Sequence, residues 1–392
     1  MDNNYAQESL EDVIELVNNS KYAFCHYITP NDLGITGGHQ CGFYFPHVAE
    51  QMFYNKNQVK GSNDEVSIKI CWQKEFFTNS KAKYYGCGTR NENRITCFGR
   101  GFEFMQDIYL GCLLVLTRGH DDVFNAYVLS DQSNIESFMD TFNLWVGNGN
   151  QMITHRFRPE SIITNEIVNT AERFDSFPDT SIMAQLARDI VNRANGYSNR
   201  LISEKCDSII LKWVAAEYEL FSNLEERIYR EIYTRAFASC SELIEFSNKI
   251  LNRRKSRAGK SLEHHLSTIF HASDLKFEEQ VVTEGNKKPD FIFPDGVSYH
   301  NFEFPADKLT MLGAKTTCKD RWRQVLNEAD RINDKHLFTL QKGVSANQLR
   351  EMKAEHLTLV VPKENLSDFH PDYREGILCL SDFIGMVRER QA

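Results

Sequence analysis

The chain has 392 residues, 41% hydrophobic and 25% charged, with a formal net charge of −9. This length exceeds one ordinary core and suggests two domains, and 27 Phe with 15 Tyr can fill sizeable cores, which excludes a largely disordered chain. No apolar run is long enough to span a bilayer, the N-terminus is polar and acidic, and ten irregularly spaced cysteines without a Cys-x-x-Cys pair fit reduced thiols; a cytoplasmic protein without disulfides or structural zinc is expected.

A short amphipathic helix near Glu8 to Val17 opens the chain, and the first third then reads as β-structure punctuated by glycine-rich turns. Val66 to Trp72 alternates with period two, while Cys112–Leu116 and Val123–Leu129 read as buried strands. A barrel or sandwich is the natural closure. Ile135, Phe138, Met139, Phe142 and Trp145 recur at helical spacing, and Gly147 to Pro178, with Gly147-Asn148-Gly149-Asn150 and two prolines, reads as a linker or irregular connection. Thr180 to Leu251 is helical in pattern, with Ile209 to Phe237 carrying one apolar face.

Beyond it come predicted strands at Phe277–Val282, Asp290–Phe293 and Tyr299–Phe304 and a helix over Asp320–Ile332. Strands at His336–Leu340 and Leu357–Val361 flank another helix, and Asp382–Arg388 forms the last one. The alternation indicates an α/β domain on a central mixed sheet. The expected organisation is an N-terminal β-barrel over residues 1–147, a connection over 148–178 and a C-terminal α/β domain over 179–392.

Global acidity says little about local fields, which decay over about 10 Å in salt. Lys81, Lys83, Arg90, Arg94 and Arg100 stand against Glu92 alone, and Arg253, Arg254, Lys255, Arg257 and Lys260 form a run with no acid. Either cluster could neutralise DNA phosphates, and either could be a solvated face.

Phosphodiester hydrolysis near neutral pH needs a divalent cation, hard oxygen ligands and a group that orients or deprotonates water. Nucleases with a Pro-Asp then Glu-x-Lys signature carry these groups at adjacent strand ends. Pro289-Asp290 is followed by Glu303-Phe304-Pro305, so proline occupies the lysine position. Lys315, at the end of a predicted strand, and Glu328, on the predicted helix beyond, restore the set: Asp290 as ligand, Lys315 beside the water, Glu328 as the second acid.

From Leu251 to about Val361 the chain resembles the EcoRII family of type II restriction endonucleases. The likeness runs through Asn252 to Glu263, Thr283 to Phe291, Lys315 to Gln324 and His336 to Gln341. It implies a restriction-endonuclease-like domain with a displaced glutamate, Asp290 and Glu328 holding Mg2+, and Glu263 assisting. In this family the segment after the lysine also reads bases, which places Lys319, Asp320 and Arg321 on G·C pairs, with Arg257 and Lys260 contacting DNA alongside; Arg and Lys donate to guanine and Asp accepts from cytosine.

The N-terminal third resembles the same family's effector-binding barrel, a DNA-binding pseudobarrel, through Asn31-Asp32, Thr36 to Gln40, Tyr44, Thr89 to Glu92 and Arg94 to Thr96. Carried over by position, its DNA contacts are His39, Tyr44, Arg90, Glu92 and Arg94. Two of the family's basic positions are Gly88 and Asn93 here, and Ser176 replaces an arginine before Phe177-Pro178 that is associated with a flipped-base pocket; Arg173 is a neighbouring substitute.

The resemblance implies a homodimer that cuts double-stranded DNA at a palindromic CC…GG core such as CCWGG, paired with a cytosine methyltransferase that protects the host. Other readings stay open: a different CCGG-related site with no effector requirement, a catalytically silent DNA-binding regulator, or a nuclease for junctions and lesions.

Overall fold

Two strands whose residues are apolar on both faces anchor the first half of the molecule. β1 (Tyr22–Tyr27) pairs antiparallel with β6 (Leu113–Arg118), as the longer elements around them assemble. In chain order these are α1 (Leu10–Asn18), β1, β2 (Phe43–Phe45), β3 (Asn63–Trp72), β4 (Phe76–Tyr85), β5 (Glu92–Thr96), β6, β7 (Phe124–Leu129), α2 (Gln132–Thr141) and β8 (Asn150–Met152). The computed structural model describes residues 10–37, 41–153, 162–319 and 321–392.

The eight strands form one sheet in the order β2-β5-β4-β3-β7-β6-β1-β8, antiparallel except for β3 with β7. It is the expected barrel, curled nearly closed, with β2 and β8 as its two ends. Alternation sets the packing. Phe24, Leu114 and Leu116 join Phe43, Phe45, Ile70 and Trp72 inside the barrel, while Ala23, Cys25, Tyr27, Leu113 and Val115 face out against Val13, Val17, Ile135 and Phe138 of α1 and α2. Strands buried on both faces lose period-two polarity and read as continuous apolar runs. α2 starts at Asp131, whose carboxylate caps Asn134 N at 3.0 Å.

The chain divides into two compact units, residues 1–158 with 342–348 and 367–373, and the remainder. The second unit begins with helices α3 (Ile162–Ala171), α4 (Thr180–Asn195), α5 (Asn199–Glu204), α6 (Cys206–Tyr233) and α7 (Cys240–Ala272). Arg254 on α7 grips Glu225 on α6 with Nε–Oε1 2.9 Å and Nη2–Oε2 2.6 Å. There follow β9 (Glu278–Glu279), β10 (Phe291–Phe293), α8 (Gly296–His300), β11 (Thr310–Lys315), α9 (Trp322–Leu326), β12 (Lys335–Thr339), α10 (Ala346–Ala354), β13 (Leu357–Val361), β14 (Leu378–Cys379) and α11 (Leu380–Gln391). Their sheet order is β14-β13-β12-β11-β10-β9, parallel from β11 to β14 and antiparallel at β9-β10-β11, the mixed sheet expected.

Four local expectations differ from what folds, beginning with the strand expected over Phe277–Val282, of which only Glu278–Glu279 pair, Gln280 turning away through a positive φ of 54°. Residues 148–178 hold β8, which pairs with β1, and helix α3, rather than an irregular connection throughout. Tyr299–Phe304 is not a strand: Asp295 caps α8 by accepting from Ser298 N at 2.6 Å, and the turn after it runs to Phe304, whose N–H donates to Asn301 O. The helix expected over Asp320–Ile332 stops at Leu326, because Ala329 turns through a positive φ of 51° and Arg331 is drawn to the carbonyls of Ser298, Tyr299 and Phe304. All ten cysteines are free, and among the described residues no helix is long and apolar enough to cross a membrane.

Candidate active site

The antiparallel step from β10 to β11 determines where the first two residues meet. Phe291 pairs with Leu312, so Asp290, one residue before β10, falls opposite the end of β11. Its Oδ2 accepts from Ala314 N at 2.7 Å and from Lys315 Nζ at 3.1 Å. Asp290 is 6% exposed, and so enclosed a carboxylate is tolerable because donors surround it.

Glu263 reaches the same place from α7. Gln280 Nε2 donates to Glu263 Oε2 at 3.3 Å and to Asp290 Oδ1 at 3.1 Å, so one amide tethers both acids. Gln280 was not singled out in the sequence, where it is only a polar residue within a predicted strand; its left-handed φ of 54° beside the short β9 brings the amide inward.

Glu328 lies two residues past α9, in a turn, not on a helix. That turn is braced from three sides. Lys287 Nζ donates to Asn327 O at 2.5 Å, Asp330 N donates to Glu284 Oε2 at 3.2 Å, and buried Lys335 donates to Ile332 O at 2.6 Å. Tyr299 OH in turn donates to Glu284 at 2.6 Å, which ties α8 into the brace.

Burial and then the Asp290 charge push the Glu328 carboxyl up to about 7, against the opposing pull of Lys315 and Lys287. The same two causes, in the same order, raise Glu263. Glu263 and Glu328 thus both feel the Asp290 charge beside one lysine, and their carboxyls hold a proton more tightly than free glutamate does. Among the described residues no three His, Cys, Asp or Glu side chains stand close enough to ligate one metal ion. Mg2+ is usually held by one or two carboxylates, with water and phosphate completing its shell. Asp290 and Glu328 offer hard carboxylate oxygens that could hold such an ion.

The segment after Lys315 is held by its own polar contacts. Thr339 Oγ1 donates to Thr316 O at 3.2 Å and Cys318 N to Gln341 Oε1 at 2.9 Å, which leaves Lys319 partly buried and Arg321 exposed. Asp320 lies outside the described residues. On α7, Lys260 Nζ stands 3.9 Å from Glu263, whereas the Arg257 guanidinium lies 4.7 Å over the Tyr218 ring. Arg257, Lys249 and Arg253 line a cavity of about 410 Å³ with Phe177 and Phe221, and Arg253 stacks 4.3 Å over Phe177.

In the barrel, Arg90 is exposed, with its guanidinium 5.7 Å from the Tyr85 ring, and Tyr44 and Glu92 are partly buried. His39 lies outside the described residues. Arg94 differs from the others: it is 1% exposed, and Nη1 donates to Gly42 O at 2.8 Å inside the barrel.

A β-barrel, a helical segment and a mixed sheet with Asp290 and Lys315 at its strand ends define a class, a β-barrel module joined to a restriction-endonuclease-like α/β domain. The sequence matches the family models described as Restriction endonuclease EcoRII, N-terminal, over residues 17–144 and EcoRII C terminal over residues 221–384. It is 35% identical over 385 residues to the type II restriction enzyme EcoRII of Escherichia coli, a match that spans 93% of this chain and 92% of that one. The chain belongs to the EcoRII family of restriction endonucleases.

More remote likenesses are found among solved structures. Ecl18kI in complex with uncleaved DNA has a TM-score of 0.46 and 18% identity over 58% of this chain and 84% of that one. The UbaLAI B3 domain with cognate DNA has a TM-score of 0.22 and 16% identity over 39% of this chain and 95% of that one. Both are too distant to bear on function.

Proposed function

We propose that this chain is a Mg2+-dependent, site-specific endonuclease for double-stranded DNA, with Asp290, Lys315, Glu328 and Glu263 as its active site. The observation that carries the reading is the meeting of Lys315 Nζ and Asp290 Oδ2 at 3.1 Å beside a Glu328 whose proton affinity is raised by that same Asp290.

Asp290 and Glu328 would hold Mg2+. When bound, the ion supplies Lewis acidity that polarises the scissile phosphate. Lys315, oriented by Asp290, donates toward the attacking water and fixes its line of approach to phosphorus, which inverts configuration. Gln280 keeps Glu263 and Asp290 at a set spacing, so Glu263 can take the proton that the attacking water gives up, while solvent water protonates the leaving oxygen as its bond to phosphorus breaks. Lys319, Asp320 and Arg321 would read G·C pairs in the major groove, with Arg257 and Lys260 on the phosphates.

By family membership we further infer a homodimer that cleaves a palindrome with a CC…GG core, such as CCWGG, and acts beside a cognate cytosine methyltransferase. The barrel, with His39, Tyr44, Arg90 and Glu92 as its DNA contacts, would bind a second copy of the site as an effector. A related reading makes the barrel an added specificity without an effector role; the basic family positions replaced by Gly88 and Asn93 favour a changed target. Run-off sequencing of ends made from phage DNA with Mg2+ tests the whole: fixed ends at one palindrome support it. Cleavage by the Asp290→Ala protein, or an absence of cutting by the parent with host DNA methylated or not, would refute it.

A further inference from the structure

The two ends of the barrel sheet are not joined by a ladder. β2 with its neighbour β5 lies at one end and β8 with its neighbour β1 at the other, and among the described residues no strand pairing connects them. A carboxylate does. Asp32 is 0% exposed; its Oδ2 accepts from His26 Nε2 on β1 at 2.7 Å, and from Thr29 N and Oγ1 at 2.8 and 2.6 Å. Its Oδ1 accepts from Tyr44 N on β2 at 2.9 Å, with Arg94 Nη1 of β5 at 3.7 Å.

The contacts continue outward on both sides. His26 Nδ1 meets Asn150 Oδ1 of β8 at 2.6 Å, so both ring nitrogens face oxygens, the arrangement a doubly protonated imidazole makes, and although burial disfavours that charge, Asp32 beside it raises the imidazole pKa. Arg94 Nη1 donates to Gly42 O at 2.8 Å, and Gly42 N donates to Asp32 O at 2.9 Å. One anion between two cations thus spans β8, β1, β2 and β5. Thr29 before Asp32 in the chain, and Gly42 and Tyr44 after it, are all held by that one residue.

Burying three ionised side chains costs more than filling the seam with apolar ones, so geometry rather than stability is the gain to look for. We propose that Asp32 is a positioning residue for the barrel's DNA-contacting edge: it clasps the open seam through His26 and Arg94 and sets the place of Gly42 and Tyr44. Arg94 acts from inside through this clasp and touches no base. This inference rests on the reading of the barrel as a DNA-binding module.

The test uses the full chain without divalent metal, titrated with a labelled duplex carrying the mapped site and with duplexes changed at each base pair in turn, at a temperature where circular dichroism shows every variant folded. Tyr44→Ala and Arg90→Ala report whether the barrel binds DNA at all. Asp32→Asn should weaken the preference for the mapped site by about tenfold, evenly over the positions the barrel reads, as expected for a residue that holds readers and is not one. Arg94→Met should do the same, and the double variant should be no worse than Asp32→Asn alone, because the two losses remove one unit.

Parental binding by folded Asp32→Asn, additive losses, or an Arg94→Met defect confined to one base pair would overturn the proposal. Should Asp32→Asn not fold, His26→Gln and Arg94→Met carry the comparison: non-additive losses support the clasp and parental binding by either one overturns it. If Tyr44→Ala and Arg90→Ala both bind as the parent does, the DNA reading of the barrel fails and the role given to Asp32 fails with it, whereas a defect in those two with a silent Asp32→Asn sinks the clasp alone.

Discussion

Lys315 and Asp290 lie 25 positions apart in sequence, yet the Lys315 ammonium rests 3.1 Å from the Asp290 carboxylate at 26% and 8% side-chain exposure. The pair is partly shielded, so its electrostatics are stronger than those of a surface ion pair, and its geometry is set by strand register rather than by flexible stems.

The first prediction concerns that lysine. Lys315→Gln keeps a polar donor but removes the charge that faces the attacking water and the phosphate. Single-turnover cleavage should fall by on the order of 100- to 1,000-fold, with affinity for the duplex nearly unchanged. A rate within a few-fold of the parent would remove Lys315 from the site.

Glu328 predicts a link between pH and metal. Its carboxyl, raised from 4.5 to about 7 by burial and by Asp290, favours the protonated folded state. The stability this group contributes is full below pH 4.5 and is lost as pH rises through about 7, so the metal-free protein is weakened by this group at neutral pH and above. A cation that replaces the proton restores it. The rise in melting temperature caused by Mg2+ should therefore grow as pH climbs through neutrality, and Glu328→Gln should show a small, flat rise. An equally steep response in the variant would take Glu328 out of the ion's reach.

How far the sequence discloses all this depends on the physics of each residue. β3 was legible because Ile68, Ile70 and Trp72 face inward while Ser67, Lys69 and Cys71 do not. Asp290 and Lys315 were legible as motif residues at predicted strand ends. α8 was not, since Phe302 and Phe304 alternate with polar neighbours after an aromatic Tyr299, a strand-like composition, while the Asp295 cap starts a helix instead. β8 and α3 were hidden by the glycines and prolines around them. Arg94 read as a DNA-contacting cation, because charge in a strand gives no sign of an internal partner such as Asp32, which is 62 positions away. Gln280 carried no signal at all, its importance arising from two acids brought to it by α7 and β10.

The effector role makes a kinetic prediction. If the barrel binds a second copy of the cleavage site, a plasmid with two sites should be cut faster than one with a single site, and an added duplex carrying the site should rescue the latter. Equal rates with no rescue would leave the barrel as a specificity module.

The last prediction is one of stability, and it concerns the far face of the helix that presents Glu263. Glu217 on α6 is 0% exposed; its Oε2 accepts from Ser261 Oγ at 2.8 Å and stands 2.8 Å from His265 Nε2. Ser261 and His265 bracket Glu263 on α7, one helical turn apart, so this contact fixes the rotation of α7 about its axis. Arg188 Nη1 lies 3.4 Å from His265 Nδ1, a donor that requires the ring nitrogen to be bare, and burial keeps the imidazole below its usual pKa despite Glu217. The negative charge therefore stays on Glu217, whose own pKa is lowered, burial being outweighed by His265 and Arg257. Glu217→Ala removes one partner and leaves the others enclosed, which should cost about 3 kcal/mol in urea unfolding. Glu217→Gln, which keeps the shape and an acceptor, should cost less. Because the native carboxylate has the lower pKa, its contribution is present above 4.5 and lost as pH falls through the folded value, so parent and Glu217→Gln should converge in acid. A Glu217→Ala protein as stable as the parent would show that α7 is held in register by its apolar contacts alone.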